Sequence, residues 1–412
     1  MESRIVAGLD VGSTKTAVVV ADVGIEGGVP RIKVLGVGQA RTTGLRREVV
    51  TDLEATTDSI RRAVKEAELM AGVTLERLYT GIAGEHVHGR ASMGLVAVGG
   101  KEITGRDIER VQEVARAVVV PTDREVLHAI PQEYIVDAQS GIRDPAGMAG
   151  TRLESEVYLV TGSASAGQNL RKAVERAGYQ VAELVFEPLA SSLAVLSEDE
   201  REVGVALVEL GGGTTDVTLF HDRKVRYLCS LPWGGATVNN DIVMGLSLPY
   251  AEAVRAKETW GTALAAGVDP REVFEVPGAA PGENRQVTRE LLAHIIEQRL
   301  DEIFGLVAER IEKSGVSDRL SGGVVLTGGG AALAGIRELA ERSFTGPVRI
   351  GMPGAEIQGL VDSVRAPKLS TATGLVLWGA RRISAELVEG SGAAGAPANV
   401  IRWVRDWFND FF

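Results

Sequence analysis

One pattern occurs twice in this chain: two β-rich runs flank a polar turn that contains glycine, once near the N-terminus and again near the middle. The copies span residues 4–22 and 203–220, and each predicts a β-hairpin. Asp10 and Glu209 stand at matching positions, just before the glycine-containing turns. Because a third strand candidate and a helix candidate follow each copy, the sequence predicts an α/β protein of two related domains.

Bulk properties narrow the class of protein. A chain of 412 residues, 45% of them hydrophobic, can bury a large core and is too long for one ordinary domain. Its formal charge of -11 disfavours a nonspecific nucleic-acid binder, because phosphate neutralisation requires a cationic surface. The single cysteine, Cys229, fits a reducing compartment, and the N-terminal apolar run is too short for a secretion signal. We therefore expect a cytoplasmic protein whose membrane contact, if any, is peripheral.

The first domain is predicted to cover residues 1–200. Asp52 is positioned to cap a helix that runs to about Met70, and a strand and a helix alternate again from residue 157 onward. Residues 84–156 interrupt this alternation with a mixed composition, and we interpret them as an inserted subdomain.

The second domain is predicted to cover residues 201–364, with a small subdomain at about 240–320. We expect residues 249–315 to be mostly helical, with the loop PGAAPGENR inside them. A closing helix at 365–388 is expected to return to the first domain.

Both turns have the chemistry of a phosphate site, because backbone N–H groups can approach phosphate oxygens where side chains are absent and nearby hydroxyls add donors. The turns are Gly12-Ser13-Thr14-Lys15 and Gly211-Gly212-Gly213-Thr214-Thr215. A single glycine hairpin is more often structural, but a pair favours binding of a triphosphate and its magnesium from both sides. The P-loop and Rossmann spacings are absent, which disfavours those two folds.

Five motifs, in chain order, resemble the phosphate 1, connect 1, phosphate 2, adenosine and connect 2 signatures of the actin, Hsp70 and hexokinase superfamily. They are GLDVGSTKT, EPLASS, GGGTTD, LTGGGAALAG and STATGLVLWG. Further segments, among them GIAGEHVHG, VLHAIPQEYIVD, IIEQRLDEIF and VRIGMPGAEIQGL, resemble the bacterial cell-division family FtsA over nearly the whole length. This resemblance implies an actin-like fold of two domains, with an insertion in domain 1, at about residues 84–163, in place of the usual small subdomain.

The resemblance also implies a role for each matching residue. Asp10 and Asp216 would hold magnesium through water, and Glu187 would orient water near the γ-phosphate, so these three would carry any catalysis. The phosphates and the adenosine of ATP would contact Gly12, Ser13, Thr14, Lys15, Glu209, Gly211, Gly212, Gly213, Thr214, Thr215, Glu252, Arg255, Gly328, Gly329 and Gly330. Glu252 and Arg255 share one helix face, and Arg255 stands where the family often has lysine.

Glu209 is a larger departure, because the family usually has aspartate before the second turn. The additional methylene would move the carboxylate into the magnesium shell or past it, so that ATP binding persists while hydrolysis weakens. Alternatively, Glu209 does the same work through a shifted water. At most a weak ATPase is expected.

Aromatic side chains are concentrated in residues 399–412, after a glycine- and alanine-rich linker at 389–398. At helical spacing, an apolar face would consist of Val400, Trp403, Val404, Trp407, Phe408 and Phe411, with Phe412 at the end. This pattern predicts an amphipathic helix in a membrane interface, and the alternative is a helix docked on protein. One such helix should bind weakly, whereas a filament that carries many should bind firmly.

The resemblance therefore implies an ATP-binding scaffold that polymerises on the cytoplasmic face of the cell membrane at the division site. There it would anchor the ring of FtsZ by binding the C-terminal peptide of FtsZ, with Arg299 and Glu302 as the expected contacts. Later division proteins are expected to bind the inserted subdomain. Two alternatives stay open: a PilM-like pilus-assembly actin homologue, against which the aromatic tail argues, and a small-molecule kinase, for which no substrate motif is found.

Overall fold

The computed structural model describes residues 4–26, 29–100, 102–278, 283–354 and 356–391. The strands are β1 (Arg4–Val11), β2 (Lys15–Glu26), β3 (Val29–Arg41), β4 (Leu45–Arg46), β5 (Val49–Val50), β6 (Arg77–Ile82), β7 (His88–Ala97), β8 (Arg124–Val136), β9 (Gln139–Ile142), β10 (Arg152–Ser163), β11 (Gln180–Phe186), β12 (Val205–Leu210), β13 (Thr215–His221), β14 (Lys224–Leu231), β15 (Val273–Pro277), β16 (Asn284–Thr288), β17 (Val324–Thr327), β18 (Val348–Ile350) and β19 (Gln358–Gly359). The helices are α1 (Leu53–Ala71), α2 (Gly105–Arg116), α3 (Ala164–Ala177), α4 (Glu187–Val195), α5 (Glu198–Val203), α6 (Gly235–Leu246), α7 (Tyr250–Trp260), α8 (Arg289–Lys313), α9 (Ile336–Ser343), α10 (Val361–Val364) and α11 (Ser370–Ser391).

The two halves of the molecule contain sheets of the same topology. The first sheet has the order β11-β6-β1-β2-β3, with β19 added at its edge, and the second has the order β18-β17-β12-β13-β14. In each sheet an antiparallel meander of three strands continues into two parallel strands. Since β1 and β12 lie in the middle of their sheets, their residues are almost entirely buried. The predicted repetition of one α/β plan is confirmed.

Helix α1 begins where its sequence predicts. The Asp52 carboxylate accepts a hydrogen bond from Ala55 N–H over 3.0 Å, and Gly72 ends the helix in the left-handed conformation. The helix lies directly on β3, because two glycines of that strand leave room for it. A β-carbon built on Gly38 would lie only 2.0 Å from the carbonyl oxygen of Ala63.

The segment between β6 and α3 forms a separate layer. Strands β7, β10, β8 and β9 make a four-stranded sheet, and α2 covers one face of it. The chain enters and leaves this layer side by side, since His88 and Thr161 are paired neighbours on β7 and β10. His128 of β8 connects the layer to the first half, because its Nε2 accepts the N–H of Phe186 over 2.9 Å.

The last described helix, α11, packs on the first half, against α4 and the β1 side of the sheet. At its crossing with α4, a β-carbon built on Gly374 would lie 1.9 Å from the carbonyl oxygen of Ala190. The helix continues to Ser391, three residues into the segment predicted as a linker from residue 389. That prediction is therefore corrected: glycine in a helix costs only about 1 kcal/mol and does not force an end. Residues 392–412, which contain the rest of the linker and the predicted amphipathic helix, lie outside the described residues.

A second correction concerns residues 249–315. Helices α7 and α8 occupy most of this stretch, but strands β15 and β16 form a two-stranded ribbon between them. The alternation of exposed Val273 and Glu275 with buried Phe274 and Val276 is the strand period. It was missed because five residues are too few for that period to stand out. Within the part of the chain that the structure describes, no helix combines the length and apolarity needed to cross a membrane.

Candidate functional site

The two predicted hairpins are present, and their turns have the same backbone. In the first, Gly12 N–H donates to the carbonyl of Lys15 over 3.1 Å; in the second, Gly211 N–H donates to the carbonyl of Thr214 over 2.9 Å. The strands that continue from these turns are paired in the same register, so the two turns correspond residue by residue.

The two turns face each other and are in contact. A β-carbon built on Gly212 would lie 2.6 Å from Thr14 Oγ1, and one on Gly213 would lie 2.5 Å from Ser13 Oγ. The hydroxyls of the first turn therefore fit against the glycines of the second. The structure brings both predicted phosphate-binding turns to one place.

Carboxylates gather around these turns. They belong to Asp10, Glu48, Glu187, Glu209 and Asp216. Burial is the main cause of a raised pKa in every one of them, to about 8 for Glu48, about 7 for Glu209 and about 6 for Asp216. Such a cluster has an unfavourable charge that a bound cation would relieve.

Lys15 is the basic residue of the first turn. Its Nζ lies 3.6 Å from Asp10 Oδ2 and donates to the carbonyl of Lys368. Burial lowers the pKa of Lys15, and the neighbouring Asp10 carboxylate opposes that change. The ammonium group is thus held at the mouth of the turn, where it could contact a phosphate.

Asp216 has one well-bonded oxygen and one that is only weakly bonded. Thr214 Oγ1 donates to Oδ2 over 2.9 Å, whereas Oδ1 is buried without a well-formed hydrogen bond. Burial raises the pKa of Asp216, and hydrogen bonding from Ser230, Thr214 and the backbone of Gly84 partly opposes that rise. Within the described residues, no three His, Cys, Asp or Glu side chains are arranged to bind a metal ion directly. A set of carboxylate oxygens of this kind fits hydrated magnesium, which contacts carboxylates largely through its waters.

Glu187 begins α4 and is buried beside β6. Gly81 makes space for it, because a β-carbon there would lie 2.7 Å from Glu187 Oε1. Burial and then the neighbouring carboxylates raise the pKa of Glu187 well above its usual value. This carboxyl is suited to hold or accept a proton in the cleft.

The Glu209 carboxylate has partners that its sequence position did not indicate. Ser191 Oγ of α4 donates to both its oxygens, at 3.1 and 3.0 Å, and Thr371 Oγ1 of α11 donates to Oε1 over 2.5 Å. The longer side chain thus connects β12 of the second half to two helices of the first.

The predicted adenosine residues lie beside the second turn. A β-carbon on Gly328 would lie 2.7 Å from the carbonyl oxygen of Leu210, and one on Gly330 would lie 2.4 Å from Leu210 Cγ, whereas Gly329 faces open space. Glu252 and Arg255 pair with each other on α7 across 2.6 Å. The structure joins the glycines to the turn but records no contact between them and the Glu252–Arg255 pair among its described residues.

Elsewhere on α7, Lys257 donates from its Nζ to the carbonyl of Gly235 over 3.2 Å, and burial lowers its pKa. Thr215 Oγ1 is committed to the carbonyl of Trp233 over 2.7 Å, so its hydroxyl supports the start of α6.

The predicted partner residues lie away from the cleft. Arg299 of α8 forms ion pairs with Asp241 of α6 and with Glu302, and its Nη2 lies 3.1 Å from Asp241 Oδ1. Arg299 is half-buried, while the Glu302 side chain is 58% exposed. The predicted membrane residues, Val400 to Phe412, fall outside the described part of the chain.

Sequence reasoning missed several residues of the cleft. Ser191 and Thr371 stand inside the EPLASS and STATGLVLWG motifs, so these motifs could have indicated them. Lys257 stands in the segment AEAVRAKETWG, beside the predicted Glu252 and Arg255, so that segment could have indicated it. Glu48 has no such signal, because only the packing of the β4–β5 turn brings it to the hairpins.

Comparisons with known proteins agree with this geometry. A profile described as "SHS2 domain inserted in FTSA" matches residues 84–161, and one described as "Cell division protein FtsA" matches residues 206–374. The chain is 41% identical to the cell division protein FtsA of Pseudomonas aeruginosa over 92% of its length and 90% of that relative. It is 39% identical to FtsA of Neisseria meningitidis serogroup B over 99% of both chains.

Solved structures support the fold. A PilM-PilN type IV pilus biogenesis complex matches with a TM-score of 0.64 at 17% identity, covering 91% of this chain and 98% of that one. MreB 5 of Spiroplasma citri bound to AMPPNP matches with a TM-score of 0.53 at 14% identity, covering 95% and 100%. At these identities the likeness concerns the fold alone, so it does not favour the PilM-like alternative. With its actin-like halves, its inserted layer and relatives of this similarity, the chain belongs to the FtsA family of cell-division proteins.

Proposed function

We propose that this chain is a nucleotide-dependent scaffold of bacterial cell division. It binds ATP with magnesium between the two hairpins, polymerises on the cytoplasmic face of the cell membrane and attaches the FtsZ ring to that membrane. The observation that carries the nucleotide proposal is the contact of two glycine turns within a group of buried carboxylates. A fold neighbour, MreB 5, is described as bound to AMPPNP, which supports a nucleotide in a fold of this kind.

Each group of the cleft has a task in this proposal. The turn amides, the hydroxyls of Ser13 and Thr14 and the ammonium of Lys15 bind phosphate oxygens. Asp10 and Asp216 hold hydrated magnesium, whose charge would offset that of the phosphates and the carboxylates. Glu187 orients or deprotonates a water molecule. The adenosine lies between the glycines 328–330 and the Glu252–Arg255 pair of α7.

Hydrolysis is expected to be weak. The Glu209 carboxylate is held by hydroxyls of α4 and α11, so it is not free to approach the magnesium side of the turn. Its role in the proposal is to connect β12 of the second half to α4 and α11 of the first half.

The filament and membrane parts of the proposal rest on the family and on the sequence of the C-terminus. The helix predicted at 399–412 would lie in the membrane interface, and the inserted subdomain would bind later division proteins. Arg299 and Glu302 would contact an FtsZ peptide. Because Arg299 is already paired with Asp241, an acidic peptide would have to compete for it or extend the ion-pair network.

Nucleotide binding is tested by titrating Mg-ATP into the protein and into Asp216→Asn. We expect the substitution to weaken Mg-ATP binding at least tenfold, because it removes a charge that holds the cation. Asp199→Asn, an exposed carboxylate of α5, is the matched control and should bind as the unmodified protein does. Equal affinities for all three proteins would contradict a magnesium role for Asp216.

Membrane attachment is tested by sedimentation with anionic-lipid vesicles and Mg-ATP. The full chain should sediment with the vesicles, and a chain that ends at Ala398 should stay in the supernatant. Equal behaviour of the two chains would mean that the C-terminal segment docks on protein instead.

A further inference from the structure

The turn between β4 and β5 reaches into the cleft from the first half. Glu48 stands at its tip, and Oε1 of its carboxylate accepts both the N–H of Ser13, over 3.2 Å, and the hydroxyl of Ser13, over 2.9 Å. Glu48 N–H donates back to Ser13 Oγ over 3.1 Å. The donors that a phosphate would use on the first hairpin are therefore already bound to a carboxyl group of the same chain.

The turn also fills the space between the hairpins. A β-carbon on Gly213 would lie 3.2 Å from the Cα of Arg47, so the turn contacts the second hairpin as well as the first. The second carboxylate oxygen, Oε2 of Glu48, is buried and has no hydrogen-bond partner. A carboxylate with one satisfied and one unsatisfied buried oxygen is a poor permanent occupant of such a site.

The backbone of the turn is itself unfavourable. Arg47 and Glu48 have φ values of 48° and 63°, the left-handed pair that a two-residue hairpin turn requires and that asparagine and glycine usually supply. By contrast, the base of the turn is well anchored, because the carbonyl of Gly44 accepts the N–H groups of Thr51 and Asp52 over 2.8 and 3.0 Å. A strained tip on a fixed base can move without unfolding its surroundings.

We infer that Glu48 occupies the phosphate position of the first hairpin while no nucleotide is bound, and that ATP binds only by displacing the Arg46–Val49 turn. This inference rests on the proposed nucleotide site. Phosphate and carboxylate are alternative acceptors for the same Ser13 donors, so the two cannot be bound there together. The apparent affinity for ATP equals the affinity of the open form multiplied by the fraction of molecules in which the turn is open, so a mostly closed turn weakens binding.

Displacement of the turn reaches the inserted subdomain. Gly84, its first residue, is close to the turn: a β-carbon there would lie 3.1 Å from Glu48 Cβ and 3.2 Å from the carbonyl oxygen of Arg47. When the turn moves away, Gly84 loses this contact. Displacement of the turn thus couples nucleotide binding in the cleft to the inserted layer that begins at residue 84.

The test compares Mg-ATP affinity of the full chain with that of two variants. Glu48→Gly removes the competing carboxylate and suits the positive φ, and it should bind Mg-ATP about tenfold more tightly. Arg47→Gly relaxes the same turn but keeps the carboxylate, so it should change the affinity less than threefold. Glu48→Gln, which retains an acceptor oxygen on a side chain of the same length, should lie between the unmodified chain and Glu48→Gly.

Hydrogen exchange supplies a second readout in the unmodified chain. Saturating Mg-ATP should speed exchange of the amides of residues 46–49, and of residues 84–87, while residues 53–71 of α1 stay unchanged. Equal Mg-ATP affinity of the unmodified chain and Glu48→Gly overturns the inference and leaves the nucleotide site standing. Failure of both to bind Mg-ATP overturns the inference and the proposed site together.

Discussion

The two hairpins have the same hydrogen bond across the turn but different partners outside it. The first donates, from Ser13, to the carboxylate of Glu48. The second accepts, because the carbonyls of Gly211 and Gly212 receive the N–H groups of Gly235 and Ala236 at the start of α6, over 2.9 and 2.8 Å. A duplicated fold therefore supplies one turn that is anchored by a helix and one that is bound to the Glu48 carboxyl group, which we infer is exchanged for a phosphate.

The halves also differ in how a helix meets the third strand of the sheet. Gly36 and Gly38 of β3 let α1 lie directly on the strand, whereas β14, the matching strand, contains no glycine. In the second half, α6 packs with α8 instead. At the third strand, therefore, only the first sheet has glycines whose replacement by alanine would press a methyl group against the backbone of a helix.

The largest expected effect tests this packing difference. Gly38→Ala should destabilise the first half by about 3 kcal/mol, because the new methyl group meets the backbone of α1, which cannot move away cheaply. Thermal unfolding followed by circular dichroism measures the change. Gly305→Ala on α8, where a β-carbon meets nothing within 4 Å, is the control and should stabilise slightly. Similar unfolding midpoints for Gly38→Ala and Gly305→Ala would contradict the close packing of α1 on β3.

A smaller effect is expected on the dependence of stability on pH. It tests whether His128, which connects the inserted layer to the first half, makes stability depend on pH. Burial lowers the pKa of His128 to about 3, with Arg382 adding to the shift, whereas an unfolded histidine titrates near 6.5. Between these values the unfolded chain binds the proton and the folded chain does not, so the contribution of His128 to stability falls as pH decreases below 6.5, whereas the buried carboxyl groups of raised pKa contribute in the opposite direction. The loss is about 1.4 kcal/mol for each pH unit, or about 2 kcal/mol at pH 5.

The measurement is the unfolding midpoint between pH 7 and pH 5 for the unmodified chain, for His128→Gln and for the exposed control His294→Gln. His128→Gln should be less stable at pH 7 and less sensitive to acid. An unchanged pH slope in that variant would assign the acid sensitivity to other groups.

The substitution with the smallest expected effect on stability, Glu209→Asp, makes the two hairpins more alike. Glu209→Asp shortens the side chain to that of Asp10, so it should lose the hydroxyls of Ser191 and Thr371 at a cost of about 1 kcal/mol. We expect a slightly lower unfolding midpoint together with faster ATP hydrolysis. Asp10→Glu is the reciprocal change and should slow hydrolysis. If Glu209→Asp instead hydrolyses ATP more slowly than the unmodified chain, the longer side chain of Glu209 takes part in the reaction.

Local sequence patterns were enough to predict much of the fold. The hairpins follow from glycine turns between β-branched runs, and α1 follows from its Asp52 cap and the apolar spacing behind it. The β15–β16 ribbon was not predicted, because each strand is short and the loop between them carries the stronger proline and glycine signal.

The cleft was predictable only where a residue belongs to a motif. Asp10, Glu187 and Asp216 were expected and are gathered around the turns. Glu48 was not expected, since nothing in the local sequence TTGLRREVVT indicates that Glu48 contacts Ser13, 35 residues earlier in the chain. Contacts of this kind depend on tertiary packing rather than on local propensity.

The return of α11 to the first half has a consequence for biosynthesis. Gly8 of β1 accommodates this helix so closely that a β-carbon there would lie 2.3 Å from the carbonyl oxygen of Ala372. Strand β1 leaves the ribosome long before α11, so its buried face stays uncovered until α11 has been synthesised. The second sheet, by contrast, is complete once residue 350 has emerged. The half that is translated second is expected to fold first.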